Sequence, residues 1–138
     1  MSHFLTPALA LIIWTLIIMV VMYKRRIPAM NAISKRTQDF IDDPKLGEKM
    51  PASARWAADN YNHLHESPTI FYALMFTIYL MNKVTPIALY CAWAYVAIRV
   101  IHSIVQVTSN NVIVRFSLFL FSAILLIVMA LYTAAKLI

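Results

Sequence analysis

The sequence predicts an all-α integral membrane protein, a four-transmembrane-helix bundle, on three observations. Of its 138 residues 62% are hydrophobic and only 13% charged, with a mean hydropathy of +0.71. That is too apolar for an ordinary soluble domain and too short for two domains. There is one glycine and no strand-like alternation, whereas a barrel needs many turns and any lipid-embedded backbone must satisfy its own hydrogen bonds. The basic residues are segregated, eight of the twelve Lys and Arg lying between Lys24 and Arg55. Such asymmetry is a topology signal and argues against a nucleic-acid partner. The expected organisation is a single domain over residues 1–138, with helices at about 4–23, 53–81, 87–107 and 112–135 and a cytoplasmic loop at about 24–52.

Phe4 to Tyr23 carries no charge over about 20 residues, the length a helix rising 1.5 Å per residue needs to cross about 30 Å of hydrocarbon. Met1-Ser2-His3 has no basic n-region and Lys24-Arg25-Arg26 follows as a stop-transfer anchor, so the segment reads as a retained span and not as a signal peptide. The next stretch carries Pro28, Pro44, Gly47 and Pro51 among most of the charges, and the positive-inside rule places it in the cytoplasm. Its Ile27, Met30, Ile33 and Phe40 fit a short amphipathic helix on headgroups and a solvated loop equally well.

The second helix starts near Ala52 or Ser53 and ends near Met81. Its fully apolar part, Thr69 to Met81, covers only about 20 Å, which puts its first turns at or above the interface and Glu66 near that level. Pro68 is expected to kink it. Asn82 to Pro86 is a turn with Pro86 at a helix start, and Thr108 to Asn111 is another. Four spans leave both termini outside, as in a multi-pass protein of a bacterial inner membrane. The lone Cys91, inside an apolar run, forms no intrachain disulfide.

Polar residues interrupt this plan at one level. Arg55, Asp59, Asn62, His63 and Glu66 fall within about 100° on one face of the second helix. Arg99, His102 and Gln106 share a face of the third, and Arg115, one turn after Asn111, enters from the fourth. Alternating helix directions bring all of these to the same membrane side. Ionisable residues within spans are costly unless they face a bundle interior, a partner or water, so the set reads as a functional pocket. Each member also has a plainer reading. Arg115 could snorkel to headgroups, Arg99 and Glu66 could form a structural ion pair, and His102 could be a hydrogen-bonded packing residue. His63 and His65 point about 200° apart on a helix and cannot share a metal ion, so no metal site is expected.

Arg99-Val-Ile-His102, Gln106 and Arg115 are similar to a pattern of Arg, His three later, Tyr seven later and Arg sixteen later in the prostaglandin synthase branch of the superfamily of membrane-associated proteins in eicosanoid and glutathione metabolism, MAPEG. Asn62-His-Leu-His-Glu66 before Pro68 and Phe71 resembles the same superfamily's Asn-x-x-Glu followed by Pro and Phe. The resemblance covers nearly the whole chain. It implies a MAPEG-like homotrimer with glutathione as cosubstrate near the cytoplasmic side, and a lipophilic substrate arriving from the membrane lipids. Carried over, Arg115 is the catalytic arginine that stabilises the glutathione thiolate. Glu66 binds the peptide backbone with help from Asn62 or His63, and Arg99, His102 and Gln106 line the site. The implied activity is that of a transferase or peroxidase acting on electrophiles or hydroperoxides. The alternative is a non-catalytic protein of the same fold that binds a lipid or a partner. Three departures stand out: Gln106 replaces a tyrosine, Asn62 precedes Glu66 by four residues while His63 has the family spacing, and Asp59-Asn60-Tyr61 stand where arginines are common.

Overall fold

A computed structural model describes residues 3–138, so the first two residues of the predicted domain lie outside the described part. Among the described residues the regular structure is entirely helical: α1 (Thr6–Ile33), α2 (Asp39–Asp42), α3 (Lys45–Glu48), α4 (Ala52–His63), α5 (Ser67–Leu80), α6 (Pro86–Thr108) and α7 (Val112–Ala135). Of these, α1, α6 and α7 are long and apolar enough to cross a membrane. The chain is thus an α-helical membrane protein with three such helices.

α1 runs ten residues past Tyr23, through the basic triplet and Pro28, so the stretch expected as loop is helical in its first third. Its 28 residues measure about 42 Å, and the charged end lies beyond any hydrocarbon core, where solvent can reach the carbonyl that Pro28 leaves without a donor. Arg25 Nη1 fastens this end to the bundle by donating to the Val107 carbonyl at 2.9 Å, near the end of α6. The remaining connection shortens to two single-turn helices, α2 and α3.

The second predicted helix is two helices. α4 stops at His63, Glu66 adopts φ −91° and ψ −94°, and α5 starts at Ser67 with Pro68 in its first turn. Proline cannot donate to the carbonyl four residues back and its ring clashes there, so the interruption goes beyond a kink. Two neighbouring carbonyls of the interrupted turn are answered locally: Thr69 Oγ1 donates to the His65 carbonyl at 2.6 Å, and the His63 carbonyl takes Arg99 Nη2 at 3.0 Å. With only 14 residues, α5 falls short of the length of a full span.

The other junctions follow capping chemistry. α5 closes with Asn82 at φ 53° and the Lys83 amide bonded to the Ile78 carbonyl at 3.1 Å, a Schellman ending in which asparagine stands in for glycine. Thr85 Oγ1 accepts the Ala88 amide and Pro86 occupies the first turn of α6. Asn110 takes φ 51°, and the Asn111 side chain caps α7 by accepting the Ile113 and Val114 amides. α6 lies at the centre, packed on α1, α4 and α7. The core runs through Leu11, Ile18, Phe71, Met75, Tyr95 and Met129, while most of α7 faces outward.

Candidate functional site

The buried face of α4 is Ala54, Ala57 and Asn60, continued by Leu64, the three-to-four spacing of one helical stripe. His63 lies at its edge and Asn62 about 200° from Asn60, which leaves Asn62 exposed. α6 buries Tyr95, Arg99, His102, Ser103 and Gln106 on a single face against α4 and α7. Arg115 comes from the first turn of α7, where the Asn111 cap fixes the helix start.

These elements enclose a cavity of about 250 Å³ lined by His63, Glu66, Arg99 and His102 on one side and by Val112, Arg115, Phe116 and Phe119 of α7 on the other. Phe116 and Phe119 are also exposed on the flank of the bundle, so the apolar wall is continuous with the lipid-facing surface. The structure therefore brings Arg115, His63, Glu66, Arg99 and His102 together.

Two residues fall elsewhere. Asn62 points outward from α4 and lines no part of the cavity, because the face that packs is set by Ala54, Ala57 and Asn60. Gln106 is buried behind the cavity, where its Oε1 accepts Asn60 Nδ2 at 2.9 Å and His63 Nδ1 at 3.0 Å. Both bonds end on one acceptor oxygen, so His63 meets Gln106 through Nδ1 and has no bond at Nε2. The Arg99 to Glu66 ion pair is not formed; among the described residues the one ion pair is Arg36 with Asp39 at 3.7 Å.

The electrostatics are unbalanced. Two guanidiniums face one carboxylate, and several polar atoms at the site are buried without a protein partner. Arg99 is 1% exposed, yet Nη2 alone is bonded, leaving Nε and Nη1 free. Arg115 gives Nη1 to Asn110 Oδ1 at 2.6 Å and keeps a buried Nε unpaired, and His102 Nδ1 is also unpaired. Buried donors left unmade are expensive. They belong to three side chains that line the one cavity, and nothing else in the packing answers them.

Three contributors were not singled out in the sequence. Asn60 shares the His63 face at i, i+3, a signal that was present. Asn110, whose backbone is left-handed at φ 51°, accepts from Arg115. Tyr95, stacked on Phe71 at 4.5 Å and bonded to Ser67 at 2.8 Å, pins the start of α5 to α6, a contact that sequence spacing does not encode.

Comparison with curated proteins and with solved structures gives no match. Against family models, residues 4–135 match the MAPEG family.

Proposed function

Since the chain belongs to the MAPEG family, a group of membrane proteins tied to glutathione and eicosanoid metabolism, we propose that it is a glutathione-dependent transferase or peroxidase for lipophilic electrophiles or hydroperoxides. The observation that carries the reading is the single cavity lined by Arg99, Arg115 and Glu66 together with the apolar side chains of Val112, Phe116 and Phe119. The donor set fits an anionic, peptide-like thiol. Glutathione, when bound, supplies the nucleophilic sulfur.

A thiol near pKa 8.5 is mostly protonated at neutral pH, and an adjacent guanidinium in a site of low dielectric favours the thiolate. Arg115 holds that position, steadied by Asn110. Glu66 accepts from an ammonium or amide of the ligand, and the Arg99 guanidinium faces its carboxylate. The role of the family's asparagine falls to His63, since Asn62 faces away. The phenyl rings exclude water and admit an apolar partner from the bilayer.

The proposed topology has four passes, α5 serving as the second and completed by the break before it, with both termini outside and α2 to α4 cytoplasmic. The outward face of α7 supports contacts to lipid and to sister copies in a homotrimer. A second reading, a non-catalytic lipid-binding or partner-binding protein, is favoured by one observation: Gln106 stands where the family pattern has a tyrosine and is consumed by Asn60 and His63.

Calorimetric titration of the detergent-purified protein with glutathione, joined to thiolate absorbance in the ultraviolet, separates the two. Saturable binding with a thiolate band is expected. Arg115→Ala should lower turnover by about 100-fold while weakening binding far less. Binding without a thiolate band, or turnover unchanged in that variant, rejects the catalytic reading.

A further inference from the structure

A second cavity, of about 420 Å³, opens between the charged end of α1, α3, α4 and the α6–α7 turn, and its wall includes Arg26, Arg55, Trp56, Asp59 and Asn110. None of the first cavity's lining residues contributes to it. Arg26 follows the charge-free Phe4 to Tyr23 by three residues, and Asn110 marks where α6 gives way to α7, so the cavity lies at headgroup depth. Arg25 is turned inward onto the Val107 and Ser53 carbonyls, which leaves Arg26 as the cation of that helix end available to the cavity.

The charges around this hollow do not neutralise one another. Arg55 and Asp59 sit one turn apart on α4, a spacing at which such residues commonly pair, yet neither they nor Arg26 and Asp59 form an ion pair among the described residues. Two cations and one carboxylate share one concavity beside a half-buried indole. Arginine suits phosphate because its planar fork donates in pairs. A carboxylate on the same rim disfavours a purely anionic guest and accepts from an ammonium. We propose that this cavity binds a zwitterionic phosphoethanolamine group, its phosphate diester between Arg26 and Arg55 and its primary ammonium on Asp59.

Such a group comes from a bilayer phospholipid or from a soluble glycerophosphodiester, and one experiment covers both. The full-length protein in detergent is titrated with phosphatidylethanolamine, phosphatidylcholine or phosphatidylglycerol of matched chains, and retained lipid is counted by native mass spectrometry. Phosphatidylethanolamine should be retained about tenfold more tightly than either of the others, the worth of one charge-assisted hydrogen bond. Asp59→Asn, an isosteric change at an exposed site, should erase the preference over phosphatidylglycerol. Arg26→Gln and Arg55→Gln should each weaken retention of both lipids. Soluble glycerophosphoethanolamine displacing the lipid identifies the free diester as a competent source, and failure to displace it identifies the bilayer lipid. Equal or tighter retention of phosphatidylglycerol, or a preference that survives Asp59→Asn, overturns the proposal. Displacement of the lipid by glutathione overturns it too, by assigning the cavity to the first site.

Discussion

Burying a guanidinium costs several kcal/mol unless its donors are used, and Arg99 recovers a single bond, to the carbonyl of His63. That carbonyl also takes the Glu66 amide at 3.3 Å, so it would not be orphaned if the arginine were gone. Replacing Arg99 by methionine should therefore leave the thermal midpoint unchanged or raise it, since exchanging a buried ionic group for an apolar one of similar volume is often neutral or stabilising by about 1–4 kcal/mol. Glutathione affinity should fall at least about tenfold. Thermal denaturation beside calorimetry checks this, and a lower midpoint with unchanged affinity would make Arg99 structural. Legibility in the sequence was uneven at this scale. Arg99, His102 and Arg115 stand out because charges inside apolar helices are rare, and the helical period then sets them on faces that meet. Gln106 and Asn62 show the limit, since polarity marks a residue as notable without saying whether its partner is a ligand or a neighbouring amide. The bond from Gln106 to Asn60 joins residues 46 apart, a separation that no local pattern reveals.

At the scale of the helix, the break between α4 and α5 is what turns Glu66 and the His63 carbonyl toward α6. Pro68 enforces it. With Pro68→Ala the proline's steric clash and missing N–H, worth about 3 kcal/mol within a helix, disappear, and the chain can run on from His63. The Ser67 amide would then compete with Arg99 for the His63 carbonyl, and Glu66 would rotate with the continuous helix. Hydrogen exchange should slow at the amides of His65 to Ser67, and glutathione binding should weaken about tenfold; unchanged exchange there would mean that the Ser67 to Tyr95 bond, not the proline, holds the break open. Proline also shows what the sequence conveys about elements. Pro86 and Asn111 mark helix starts because each satisfies a capping requirement, and Pro68 marks trouble, but whether trouble means a bend or a full stop depends on Thr69, Tyr95 and Arg99. The ten-residue extension of α1 is similarly hidden, since Lys24, Arg25 and Arg26 suit a helix as well as a loop and the tie from Arg25 to α6 comes from the fold.

Taken as a whole, the molecule pairs helices of very different length. α1, α6 and α7 have 28, 23 and 24 residues, whereas α5 has 14, about 21 Å of rise against a hydrocarbon core of about 30 Å. Alternating spans and basic clustering make the class readable from the sequence, but the deficit in α5 emerges only once α4 is seen to be a separate helix. In the proposed four-pass topology its consequence is hydrophobic mismatch. Lipids beside α5 must shorten, or the bilayer must dimple there, at a fraction of a kcal/mol per ångström. Reconstituted into vesicles of graded acyl length, the protein should show its highest thermal midpoint in the thinner bilayers, and a midpoint that rises steadily with thickness would contradict this. The same strain acts as a sorting force, so the short helix would enrich the protein in thin patches of a heterogeneous membrane, next to whichever lipophilic compounds partition there.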